Sequence, residues 1–193
     1  MPRIVMTAKR LTYSLLFLLV ACTFTHAGEF SMRIEKVTAF YVIGKMGHGS
    51  AENKDAWIPP LWAAASGNID EIAEHIKRAT SGLPSGIWAI MSDGSESFKP
   101  WDTTGGKYLA GFEAVDDSPA PEGWTKWRVP GYEYIVIETP LINYGEAFTH
   151  TIATLLPEKG LKLAGAVHER YPSPDDPSIV ELFFPVRHLP EST

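Results

Sequence analysis

A chain of 193 residues with 17 Lys and Arg against 23 Asp and Glu carries a formal charge of −6. It lacks the basic excess that neutralises phosphates, so nucleic-acid binding is excluded as its main role. With 45% hydrophobic residues and a mean hydropathy of −0.06 it can bury one core, and it is neither a disordered nor a multispan membrane chain.

The first 27 residues read as a targeting segment. Arg3, Lys9 and Arg10 stand among them with no acidic residue, and the apolar run Leu11 to Ala21 follows. That run is too short for a bilayer, which takes about 20 residues, but it suits a signal-peptide core. Two processing readings stand. Thr25-His26-Ala27 offers small residues for cleavage before Gly28, whereas Leu19-Val20-Ala21-Cys22 resembles a bacterial lipobox whose cysteine is lipidated. The chain's only Cys sits where a lipobox would put it, which favours a lipoprotein. Either route exports the domain to the periplasm or to a membrane anchor, and a start at Met32 would instead keep it cytoplasmic. Removing the three basic residues of 1–27 leaves 14 basic against 23 acidic groups, a charge near −9 that favours cationic partners.

Arg33 to Met46 predicts a strand with apolar residues on both faces. The glycine-rich loop 44–50 follows, and then a helix with Asp55 as N-cap, Pro59-Pro60 in its first turn and Leu61 to Ala65. After Gly67-Asn68, the spacing of Ile69, Ile72, Ala73 and Ile76 predicts more helix to Ala79. Strands are predicted over Gly86–Met91 and Tyr108–Val115, with the polar loop Ser92–Lys107 between them. Beyond the acidic connector Asp116–Gly123, Trp124–Glu138 reads as a strand pair or one bent strand, broken at Pro130-Gly131. Tyr144–Leu156 reads as helix. Leu163–Tyr171 and Ile179–Val186 read as strands joined by the turn 172–177. The order is β-α-β-β twice over. Two such units predict an α+β fold: one antiparallel sheet with helices on one face and a ligand cleft on the other.

Common catalytic signatures are missing: there is no Gly-x-Ser-x-Gly elbow, Walker loop or His-Glu-x-x-His. The six His show no metal-ligand spacing, and one Cys excludes disulfides and Cys-based zinc sites. No cofactor or metal is expected. The aromatics and carboxylates say more. Six Trp, about twice the usual share, all lie between the first helix and the central strands: Trp57, Trp62, Trp88, Trp101, Trp124 and Trp127. Glu113, Glu138 and Glu169 occupy apolar strand positions, each either a surface ion pair or a cavity group. Alternation puts Val167, Glu169 and Tyr171 on one face, His168 and Arg170 on the other. A carboxylate ringed by Trp and Tyr suits a lipophilic cation, whose charge the rings attract and the carboxylate balances. With its pKa raised by burial it could instead act as a general acid or base.

Several stretches run in a fixed order: Gly86-Ile87-Trp88-Ala89-Ile90-Met91-Ser92-Asp93, Phe98-Lys99-Pro100-Trp101, Tyr108 to Glu113, Pro121 to Trp127, Val129 to Tyr134, Gly165-Ala166-Val167-His168-Glu169, and Phe183 to Arg187. Residues 32–188 thereby resemble the stand-alone branch of the GyrI-like superfamily, related to the effector-binding domain of AraC-type regulators. The resemblance implies a duplicated fold whose cleft takes hydrophobic or cationic small molecules. It implies Glu169 and Tyr171 as the pocket carboxylate segment, Glu113 as next in rank, and Trp88, Trp101, Trp127 and Tyr134 as walls. Some stand-alone relatives hydrolyse strained cyclopropane rings of alkylating natural products, so an alternative is a hydrolase using Glu113 or Glu169. No helix-turn-helix region precedes Met32, so a regulator's role is not expected, and the membrane enters only through an anchor at Cys22.

Overall fold

The computed structural model of the chain describes residues 30–101, 105–173, 176 and 178–190. The leader, with Cys22 and the Thr25–Ala27 site, lies outside the described residues, as do Pro174, Asp175 and Pro177 of the 172–177 turn. The elements are β1 (Ser31–Val37), β2 (Phe40–Gly49), α1 (Lys54–Gly67), β3 (Ile87–Ser92), β4 (Gly106–Glu113), β5 (Thr125–Val129) and β6 (Tyr132–Pro140). Next come α2 (Tyr144–His150), a π turn (Thr151–Leu155) running into the last helical turn α3 (Leu156–Glu158), β7 (His168–Tyr171) and β8 (Ile179–His188).

Eight strands form one antiparallel sheet in the order β1-β6-β8-β7-β3-β4-β2-β5, an α+β fold as expected. The order reads the same from both ends if each half is superposed on the other. The expected strand 33–46 divides at Thr38-Ala39 into β1 and β2, as 124–138 divides at Pro130-Gly131 into β5 and β6. Each first piece pairs with the other half: β1 with β6, β5 with β2. Two residues join β5, at one edge, to β6, one strand in from the opposite edge. A link that short spans about 10 Å, so the sheet must curl.

Inside the curl, Val42 of β2, Trp88 of β3, Trp127 of β5, Tyr134 of β6 and Phe183 of β8 share one buried cluster. Both helices lie on the other face. Trp57, Leu61 and Trp62 of α1 pack with Ala89, Tyr108 and Ala110. Tyr144 and Phe148 of α2 pack with Ile135, Ile137, Leu182 and Phe184.

Three local expectations change. Residues 69–79 form only a 3-10 turn at Ile69–Ile72. Beyond it the Lys77 amide bonds Glu113 O (2.8 Å) and Ile76 bridges Ala114, so this segment extends the sheet instead of coiling. Helix α1 starts one residue before Asp55, with Asn53 at its N-cap, so both prolines fall beyond the first turn. Strand β7 begins only at His168, because the residues leading into it bond elsewhere: the Ala164 amide to Pro185 O and the Ala166 amide to Phe98 O. Pro185, which has no N–H to give a ladder, stands beside the point where the β6 pairing slips past Val186, between Glu133 and Tyr134. Gly44 and Gly111 face each other across β2 and β4, where a Cβ on Gly44 would collide with Ala110 O and one on Gly111 with Ile43 O.

Candidate functional site

Strand register assembles the site on the helix-bearing face. Glu169 stands opposite Ala89 and Leu182, Tyr171 opposite Ile87, Ile87 opposite Phe112, and Met91 opposite Tyr108. Residues directly opposed across a ladder share a face, so Glu169, Tyr171, Tyr108 and Phe112 all point toward the helices. The side chain of Glu169 is a buried carboxylate, the residue being 6% exposed. Three hydroxyls converge on it: Tyr144 donates to Oε1 at 2.9 Å, and Tyr171 (2.9 Å) and Tyr108 (3.2 Å) donate to Oε2. The indole N–H of Trp62 donates in turn to the Tyr108 oxygen at 3.0 Å.

Burial pushes the Glu169 carboxyl up from its ordinary value, against the three hydroxyls that favour its anion. The tyrosines are held well above their ordinary range, first by burial and then by the negative charge of Glu169, so they stay donors. Among the described residues no lysine or arginine forms an ion pair with Glu169, and Lys54 at the start of α1 supplies a weaker attraction.

Beside this cluster lies a cavity of about 420 Å³, within the range of small-molecule sites. Its walls are mainly apolar: Trp62 and Ile69 on the helical side, Ile87, Phe112 and Tyr171 on the sheet, with Ser66 and Ser173 as polar members. Trp62 and Tyr171 meet edge to face at 5.4 Å. These two rings belong both to the cavity wall and to the hydrogen-bonded cluster behind it.

The cavity therefore opens on the helix side of the sheet, not on the bare face where the cleft was expected. The curl fills that bare face with core. This relocates most of the anticipated walls. Trp88, Trp127 and Tyr134 are 2%, 5% and 0% exposed and sit in the inner cluster. Trp88 packs on Phe40 and Phe183 at 5.0 and 4.9 Å, and the Arg170 guanidinium lies over its ring. They are core residues and do not line the cavity. Glu113 shares their face and pairs with Lys77 at 2.5 Å, away from the site. Trp101 lies on the helix side, stacked on Trp57 at 5.8 Å, with its N–H on Lys107 O. Tyr171 lines the cavity and Glu169 lies directly behind it.

Sequence reasoning missed Tyr108, Tyr144 and Phe112, and it named Trp62 only within the tryptophan excess. Tyr144 carried one usable sign, an aromatic opening a helix whose apolar face must meet the sheet. His168 is a core histidine with one ring nitrogen paired: burial lowers its pKa to about 3, Nδ1 accepts from the Met91 amide at 3.3 Å, and Nε2 is buried without a hydrogen-bond partner among the described residues. Among the described residues no three His, Cys, Asp or Glu side chains could hold one metal ion, and no helix is long and apolar enough to cross a membrane.

The family model of the GyrI-like small molecule binding domain matches residues 30–187. The transcriptional regulator BrlR of Pseudomonas aeruginosa is 31% identical over 163 residues, covering 80% of this chain and 54% of BrlR. The chain thus spans about half the length of that regulator. Among solved structures, SAV2435 bound to tetraphenylphosphonium superposes with a TM-score of 0.60 at 14% identity, covering 81% of this chain and 94% of that one. The EcmrR C-terminal domain gives 0.56 at 12% identity, over 83% and 99%. At these identities the likeness concerns the fold.

Proposed function

Because the chain belongs to the GyrI-like small molecule binding domain family, we propose that it binds hydrophobic cations in the cavity beneath α1, with Glu169 as the buried counter-charge. One observation carries the reading: a carboxylate 6% exposed, ringed by three neutral hydroxyls, with no ion-pair partner among the described residues. A buried anion without a partner is costly, and a ligand cation set against the Trp62 and Tyr171 rings offsets that cost. The apolar walls take the ligand's aryl or alkyl bulk. The likeness in fold to a protein holding tetraphenylphosphonium supports the same class.

Calorimetric titration with tetraphenylphosphonium and with neutral triphenylmethanol tests the charge argument. Glu169→Gln is expected to weaken the cation at least tenfold, about 1.4 kcal/mol, and to leave the alcohol within about twofold. An equal loss for both ligands sinks it. A hydrolase of electrophilic cyclopropanes is the second reading, favoured by the raised Glu169 carboxyl beside three hydroxyls. More than one equivalent of hydrated product, seen by mass, would replace the binder with that enzyme.

The leader extends the proposal. An exported domain tethered at Cys22 has seven residues, 23–29, between its anchor and Phe30. It would meet toxic lipophiles before they reach the cell interior. The intact mass of protein extracted from membranes is expected to show an acylated chain starting at Cys22. A soluble chain starting at Gly28 would point to plain secretion, and one starting at Met32 would remove export altogether.

A further inference from the structure

Hydrogen-bond arithmetic links the cavity wall to the buried carboxylate. The Trp62 indole is a donor only, and its N–H is placed on the Tyr108 oxygen at 3.0 Å. Tyr108, 2% exposed, must then send its own proton elsewhere, and Glu169 Oε2 stands at 3.2 Å. The third hydroxyl on the carboxylate is thus oriented by a residue that does not touch it. Trp62 lines the cavity, whereas Tyr108 and Glu169 lie behind its wall.

We propose that Trp62 is a positioning residue that sets the charge state of Glu169 through Tyr108, and so decides which cations the cavity holds at a given pH. The proposal deepens the binding reading, and its ligand part rests on that reading. The groups facing Glu169 are Tyr108 from β4, Tyr144 from α2, Tyr171 from β7 and the charge of Lys54 from α1. Its cross-strand neighbours Ala89 of β3 and Leu182 of β8 carry no titratable group. With Trp62 on Tyr108, three donors favour the anion. Without it, the Tyr108 hydroxyl is free to turn and the anion loses a donor. A ligand bearing a carbonyl or ether oxygen at Trp62 draws the indole N–H to itself and has the same effect. The cavity therefore favours onium cations built only of aryl and alkyl groups over cations of equal bulk that carry an acceptor.

The first test needs no ligand: a carbon-13 NMR titration of the Glu169 carboxyl in the wild-type chain, Trp62→Phe and Tyr108→Phe. Trp62→Phe keeps an aromatic ring in the wall and removes the N–H donor together with part of the indole's bulk. Both variants are expected to move the midpoint up by about half a unit or more, and the double variant no further than Tyr108→Phe alone. A midpoint unmoved by Trp62→Phe while Tyr108→Phe shifts it overturns the relay. The second test is tetraphenylphosphonium affinity against pH. Trp62→Phe should lose affinity on the acid side and recover it once pH rises above its own Glu169 midpoint, while Glu169→Gln is weak and flat throughout. A uniform loss across pH in Trp62→Phe reduces Trp62 to a packing residue and also overturns the relay. If the wild-type chain holds no tetraphenylphosphonium but the NMR midpoints move, the ligand reading falls and the relay stands.

Discussion

Glu169→Gln is expected to raise the midpoint of thermal unfolding at pH 7, even as it removes the charge proposed to hold a cation. The carboxyl is pushed up by burial from an unfolded value near 4.5. Between that value and its raised one, the folded chain binds more protons than the unfolded chain. Stability then falls as pH climbs through the window and is greatest below it. Removing the charge removes the slope. Each kcal/mol gained at pH 7 raises the midpoint by roughly 2–4 °C for a chain of this size. Melting curves at pH 4, 5.5 and 7 check the sign: the two proteins should converge at pH 4 and part as pH rises. A wild-type chain that gains on the variant between pH 4.5 and 7 would mean that the three hydroxyls outweigh burial.

Trp88→Ala carries the larger cost, about 3–5 kcal/mol. The ring is 2% exposed, wedged between Phe40 and Phe183 and covered by the Arg170 guanidinium. That guanidinium is itself fixed at 2.5 Å from the buried Glu181. Truncation would leave a cavity at the centre of the curl and take away one of the two rings, Trp88 and Phe183, under the Arg170 guanidinium. Against a typical stability of 5–15 kcal/mol such a loss brings the chain close to unfolding. Urea denaturation measures it, and the fraction still folded is expected to bind tetraphenylphosphonium with unchanged affinity. A Trp88→Ala chain of near wild-type stability that has lost the ligand would return Trp88 to the site.

The contrast between Trp88 and Tyr171 shows what a sequence can convey about such a molecule. Alternation along 167–171 placed Glu169 and Tyr171 together, because two residues on one strand share a face whatever surrounds them. The same alternation said that Trp88 must choose a face but not which one. That depends on the pairing of Ala89 with Glu169, two residues 80 positions apart. The breaks at Thr38-Ala39 and Pro130-Gly131, and with them the curl that fills the bare face, arise from pairing between the halves. A local pattern does not record that pairing. Helix α1 was legible from its start signals, whereas the apolar spacing over 69–79 pointed to a helix that exists only as a 3-10 turn. That Tyr144 of α2 bonds Glu169 while Trp62 of α1 bonds the Tyr108 hydroxyl beside it depends on how both helices cross the sheet.

The middle of the sheet has a mechanical consequence for whatever the cavity holds. There the two halves meet where β3 and β7 share three residue pairs, Ile87 with Tyr171, Trp88 with Arg170 and Ala89 with Glu169. The cavity straddles that joint, taking Trp62, Ile87 and Phe112 from one half and Tyr171 and Ser173 from the other. A molecule seated there is a key driven across a seam. Such a molecule would touch both halves at once, so the fit of its seat depends on the register of the β3–β7 pairing.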